Sequence, residues 1–176
     1  MVSLTVVFWM FVFLFAIIGG MRGWARELMV VFSVILSLTF STLLNNYIPF
    51  IRQMAADSPM LYFWLHALIV VLLVFFGYQT PNLARFAGKM NREKVQDVLL
   101  GLVLGALNGY LIIGTLWFYM DKGGYPFEII SAPNPETPMG QVAVSLLKYM
   151  PPRILGIPGI YFAVVLAFIF VLVVFI

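Results

Sequence analysis

Few side chains in this chain are equipped for chemistry, and they lie far apart. Cysteine is absent and His66 is the one histidine. There is thus no thiolate nucleophile, no thiolate metal site and no disulfide framework. A lone imidazole inside an apolar run offers one axial ligand to a haem or a chlorophyll-type pigment. With no second ligand in view, it reads first as a satisfied core or interfacial histidine. The acids are Glu27, Asp57, Glu93, Asp97, Asp121, Glu128 and Glu136, mostly at the ends of apolar runs or between them. No phosphate-binding loop and no metal-ligand spacing occurs. The expectation is therefore no catalytic residue, no metal and no bound cofactor. The densest charged cluster beside apolar sequence is Arg22, Arg26 and Glu27, where Glu27 is expected to pair with a nearby arginine.

The elements that must position these residues follow from composition. The chain of 176 residues is 63% hydrophobic and 10% charged, with a mean hydropathy of +1.05. Soluble domains carry about 25% charged residues. A chain this apolar has lipid as its main solvent, where backbone hydrogen bonds must close internally in helices or a closed barrel. The apolar runs are long and continuous instead of alternating, so helices are expected. The net charge of +3 fits basic loops facing anionic headgroups, with no nucleic-acid partner implied.

The expected architecture is an all-α, polytopic transmembrane bundle of about five spanning helices with short amphipathic interfacial helices. The spans are Val2–Gly20, Leu28–Leu44, Met60–Tyr78, Val98–Met120 and Pro158–Ile176. The first lacks the basic flank and cleavage site of a signal peptide and reads as a retained helix. Residues 21–27 form the first connection, and prolines punctuate the long connection 121–156. Three regions result: a four-helix domain over 1–123, a Pro-rich extracytoplasmic loop over 124–157, and the fifth helix over 158–176. Six basic residues (Arg22, Arg26, Arg85, Lys89, Arg92, Lys94) fall on one face and four (Arg52, Lys122, Lys148, Arg153) on the other. The bias places the first and third connections in the cytoplasm.

Packing motifs stand beside this frame. Gly101, Gly105 and Gly109 recur every four residues on one face of the fourth span, and Ser33, Ser37 and Ser41 do so on the second. Small residues let helix backbones approach closely in lipid, and the two stripes are expected to face each other. Asn108, within the fourth span, is expected to make an interhelical hydrogen bond. Arg85, Lys89 and Arg92 share one side of the third connection, opposite Leu83, Phe86 and Met90. That pattern predicts a basic amphipathic helix on an anionic leaflet. The segment Gln141–Met150, flanked by Pro138 and Pro151, reads as a second amphipathic helix on the outer face or as a lid over the bundle.

Two blocks carry a family resemblance. Arg22-Gly23-Trp24-Ala25-Arg26-Glu27-Leu28, directly after the first span, resembles the Arg-Gly-aromatic-x-Arg-Glu motif of the colicin V production protein (CvpA) family. Asp97, Leu100-Gly101, Gly105-Ala106-Leu107-Asn108-Gly109 and Asp121 resemble its second block. The resemblance covers about Val2 to Gly123, roughly two thirds of the chain. The chain departs from the family at Ser3 and Thr5, where an acid is usual, and at Val98 and Asn108, where arginine is frequent. Family members typically have four helices, which makes the fifth an addition. The resemblance implies a bacterial inner-membrane protein linked to colicin V export and envelope homeostasis, with no established catalytic activity. The alternative reading is an accessory transmembrane subunit of a large photosynthetic or respiratory complex, contacting pigment or quinone. In the first case the partners are membrane lipids, with anionic headgroups at the cytoplasmic face. In the second they are other membrane-protein subunits.

Overall fold

The computed structural model describes residues 3–79 and 94–175, and every regular element in them is a helix. In chain order these are α1 (Leu4–Arg22), α2 (Trp24–Tyr47), α3 (Pro49–Asp57), α4 (Pro59–Tyr78), α5 (Lys94–Lys122), α6 (Pro138–Leu147), α7 (Pro151–Ile154) and α8 (Gly159–Phe175). Proline occupies the first turn of α3, α4, α6 and α7, where its missing N–H is no loss. By length and composition, α1, α2, α4 and α5 are able to cross a membrane. The fifth expected span is helical as α8 over 17 residues. Arg85, Lys89 and Arg92 lie outside the described residues.

The first connection is shorter than the sequence implied. Expected over residues 21–27, it is the single residue Gly23, at φ +88°. Glycine adopts this backbone without the steric cost other residues meet. The chain therefore reverses in one step, and Arg26 and Glu27 fall in the first turn of α2. The connection after α2 is also not a loop, because it contains α3.

The glycine seam packs against α1, not against the serine stripe. A Cβ on Gly105 would lie 2.9 Å from Gly19 Cα, and one on Gly109 would lie 2.9 Å from Val12 Cα. From the other side, a Cβ on Gly19 would lie 2.6 Å from Gly105 Cα. Glycine against glycine permits a closer approach than glycine against serine, so α1 is the better partner for this face. The serines turn elsewhere. Ser33 abuts Gly77 of α4, where a Cβ on the glycine would lie 2.8 Å from the serine Cβ. The hydroxyls of Ser33 and Ser37 donate to carbonyls of their own helix, Met29 O at 3.0 Å and Val34 O at 2.8 Å.

The central core joins Val30, Val34 and Leu38 of α2, Val70 and Val74 of α4, Leu111 and Ile112 of α5, and Ile160 of α8. The long connection after α5 is not all surface. α6 is amphipathic: it buries Ala143 and Leu147, followed by Met150, against Phe8 and Val12 of α1 and Trp117 of α5, and exposes Gln141, Val142, Val144 and Ser145. Gly114 leaves the notch for this. A Cβ there would lie 2.8 Å from Pro151 Cδ and 3.0 Å from Met150 Sδ.

Candidate functional site

At one end of the bundle, four helices are tied by a buried polar cluster. Arg22 ends α1 and Glu27 sits one turn into α2. Arg22 Nη1 donates to Glu27 Oε1 at 2.9 Å. Each charge suits its place, a cation at a helix C-terminus and an anion in a first turn. Arg22 Nη2 also donates to the carbonyl of Tyr78 at 3.2 Å, satisfying the C-terminus of α4. The guanidinium lies 4.2 Å from the Tyr78 ring centroid, a cation–π contact.

Asn108 of α5 completes the cluster. Its Nδ2 donates to Glu27 Oε2 at 2.8 Å and to Glu27 O at 2.9 Å. Two acceptors on this atom fix the amide orientation, because the flipped form would press Oδ1 against a carboxylate. Glu27 and Asn108 are both fully buried. The Asn108 Oδ1 is buried with no hydrogen-bond partner among the described residues. Asp97, three residues into α5, accepts from the backbone N–H of Trp24 at 3.2 Å. It thereby satisfies a donor at the open N-terminus of α2. A Cβ on Gly23 would lie 3.0 Å from the same carboxylate.

Chemically this is a tie. Both carboxylate oxygens of Glu27 are engaged, and a fully buried carboxylate needs such partners to stay charged. Sequence reasoning placed Asn108 in an interhelical hydrogen bond and Glu27 beside an arginine. It missed Tyr78, whose carbonyl and ring both serve Arg22. The signal was slight: an aromatic at the end of an apolar run, where a terminal carbonyl must find a donor.

A second polar cluster lies at the opposite end, around His66. His66 is fully buried. Its Nδ1 lies 2.9 Å from the carbonyl of Tyr62, so Nδ1 carries the proton. Nε2 is then free to accept, and Asn45 Nδ2 donates to it at 2.9 Å. Asn45 also donates to Ser41 O at 3.0 Å and accepts from Tyr62 Oη at 3.3 Å. The imidazole is stacked on Tyr119 at 4.1 Å, with Tyr62 tilted against it at 4.3 Å. Both ring nitrogens are hydrogen-bonded, with Tyr119 stacked on the ring and Tyr62 against its side, so the imidazole offers no open nitrogen to a haem or pigment. Arg52 of α3 caps the end of α2, donating to Asn45 O and Asn46 O, each at 3.3 Å.

A cavity of about 180 Å³ opens near the same end, lined by Leu4, Phe8, Phe63, Ile113, Trp117 and Met120 among others. No titratable side chain lines it. Among the described residues, no group of three or more His, Asp or Glu is placed to hold a metal ion. Comparison with family models, curated proteins and solved structures gives no match to this chain.

Proposed function

We propose that the chain is a multi-pass protein of a bacterial plasma membrane. Its role is structural, transport-associated or envelope-maintaining, in the manner of the colicin V production protein family, and it performs no catalysis of its own. One observation carries this reading. The two blocks that resemble the family are distant in sequence and meet in space. Asp97 reaches Trp24 across 73 residues, and Asn108 reaches Glu27 across 81. The first block's Arg22, Gly23, Trp24 and Glu27 thus form one unit with the second block's Asp97 and Asn108. In this reading α8 completes a fifth crossing, and the Arg22 end faces the cytoplasm and its anionic lipid.

The test is a deletion strain of the source organism, scored for entry of a dye that an intact envelope excludes. Entry should rise on deletion and return to normal with the wild-type chain. It should stay high with Glu27→Gln, provided that variant reaches the membrane at wild-type level. Unchanged dye entry on deletion would overturn the reading. Impermeant maleimide labelling of Ile129→Cys in intact cells tests the orientation separately, since the chain has no other cysteine. Labelling only after lysis would reverse it.

A further inference from the structure

The segment 138–175 carries an observation that the polar tie does not use. Three helix ends lie together on one side of the bundle. Phe8 near the start of α1 packs on Trp117 near the end of α5, with ring centroids 5.7 Å apart. Tyr62 near the start of α4 packs on Tyr119 at 6.0 Å. From this common end α6 runs inward along α1 and α5. Its exit reaches Gly114, where Pro151 fills the glycine notch. Gly114 lies eight residues before the last residue of α5, a depth of about 12 Å at 1.5 Å per residue. The hydroxyl of Tyr110, one turn deeper, donates to the carbonyl of Tyr149. The chain then makes the single turn of α7 and passes a cis Ile157–Pro158 bond. α8 begins with Ile160 already in the central core beside Val34, Leu111 and Ile112. From there it continues along α2 in the direction of the Arg22 end, with Phe168 on Phe32 at 5.0 Å.

Since the hydrocarbon core is about 30 Å thick, a break 12 Å from the helix ends stands near its middle. Non-helical backbone at that depth is tolerated only where it is buried in protein or lines a water-filled cavity. The break carries Lys148 and Arg153, and both side chains are exposed. Neither has a side-chain hydrogen bond or an ion-pair partner among the described residues. No Asp or Glu follows Glu136 in the chain. The packed helices offer no counter-charge at this level: α1 has no acid, Glu27 of α2 is held by Arg22 and Asn108, and Asp97 and Asp121 of α5 lie near its two ends. Exposed, unpaired cations at mid-depth are costly against hydrocarbon.

We infer that α6, α7 and α8 form one broken crossing, whose interruption at residues 148–158 lines a water-filled, electropositive recess that admits small anions from the α5 C-terminal side. The inference rests on the membrane-spanning architecture and is independent of the envelope role. Water explains why lysine and arginine stand exposed there, and the lack of nearby acid gives the recess its sign. Broken helices with their interruption at mid-depth are a recurrent way for membrane proteins to present polar groups to a solute.

The absence of cysteine makes the test direct. Single-cysteine variants Arg153→Cys, Leu72→Cys and Ile129→Cys are placed in vesicles and exposed to charged, impermeant thiosulfonate reagents. Ile129, 93% exposed in the connection after α5, sets the rate in open water. Leu72, half-exposed on α4 thirteen residues after Pro59, reports a lipid-facing position deeper than the break. Arg153→Cys should react within about tenfold of Ile129→Cys from the same side of the vesicle, whereas Leu72→Cys should stay unmodified. The anionic reagent should outpace the cationic one at Arg153→Cys, and adding Lys148→Gln should remove that preference. Iodide or sulfate should slow the anionic reagent at this site more than at Ile129→Cys. An inert Arg153→Cys, or a preference there for the cationic reagent, would overturn the recess. Reaction that is fast in detergent and absent in anionic vesicles would overturn it too, by assigning the cations to lipid phosphate. Free labelling of Leu72→Cys would instead refute the membrane-spanning architecture itself. Monodisperse elution of each variant in detergent shows that a loss of reaction is not a loss of fold.

Discussion

Asn108 Nδ2 sits between two oxygens of one residue, 2.8 Å from Glu27 Oε2 and 2.9 Å from Glu27 O. This amide therefore holds the side chain and the backbone of α2 at once. It fixes the carboxylate where Arg22, arriving from α1, must meet it. Glu27→Gln removes the charge that faces Arg22, whose side chain is 21% exposed, and leaves one acceptor oxygen where Arg22 and Asn108 each need one. Breaking a buried pair costs about 3–5 kcal/mol, and the partial exposure of Arg22 puts Glu27→Gln at or below the low end. Glu136, exposed in the connection after α5, is the control. In detergent melts, Glu27→Gln should lower Tm clearly and Glu136→Gln hardly at all. Equal melting temperatures would remove the structural ion pair. Asn108→Ala combined with Glu27→Gln should fall short of additive, since both changes act on one network.

The α1–α5 seam predicts an asymmetry within a single helix. Gly105→Leu drives a side chain into Gly19 of α1, where even a Cβ has no room. Overpacking costs about 1–3 kcal/mol where side chains can yield, and here the obstruction is backbone. Val103→Leu, at a 66% exposed site two residues away, should leave Tm nearly unchanged. A Gly105→Leu variant that melts with the wild type would refute the close approach of these two helices.

The network around His66 makes a third prediction. Asn45→Leu deletes the donor to Nε2 and the acceptor for Tyr62 Oη, leaving two buried polar groups unpaired. Each such group costs about 1–3 kcal/mol. The expected result is a marked loss of Tm, partly recovered when His66→Phe is added, because the unpaired imidazole is then gone. Haem added to the wild-type protein should give no Soret shift dependent on His66. A shift abolished by His66→Ala would mean that the imidazole leaves Asn45 for iron.

How much of this was legible beforehand depended on whether a signal was local. Long apolar runs fixed the helical class, because lipid leaves the backbone few choices. The glycine periodicity of residues 101, 105 and 109 marked a close-packed face, but periodicity names no partner. Gly19 of α1 took the place assigned to Ser33, Ser37 and Ser41. The one-residue turn at Gly23 was hidden because Trp24, Arg26 and Glu27 look like loop residues when only hydropathy is read. The contact of Tyr78 with Arg22 spans 56 residues, and nothing local announces it. Pro138 and Pro151 bracketed the segment read as a helix, although that helix starts at Pro138 and ends at Leu147, and Pro151 opens α7. They could not say that the chain there turns into the bundle, since that depends on the notch at Gly114.

The last prediction concerns how far α8 belongs to the core. Its first turn and its remainder differ sharply. Ile160 is fully buried among residues of α2, α4 and α5. Phe162, Leu166 and Val173 are 72%, 72% and 78% exposed. α8 touches the bundle chiefly along α2, where Phe168 meets Phe32 edge-on at 5.0 Å. Stability should therefore follow the first turn. Ile160→Ala opens a cavity in the central core, for which about 2–5 kcal/mol is usual. Phe168→Ala, at a position 48% exposed, should cost less. Ending the chain after Tyr161 keeps the buried isoleucine, so it should leave a folded, membrane-inserted bundle with a reduced Tm. Ending it after Ile157 removes Ile160 as well and should lower Tm further. If both truncations melt alike, Ile160 contributes nothing and α8 is an appendage along its whole length. If ending after Tyr161 already prevents insertion or folding, the exposed part of α8 is indispensable and the division proposed for this helix fails.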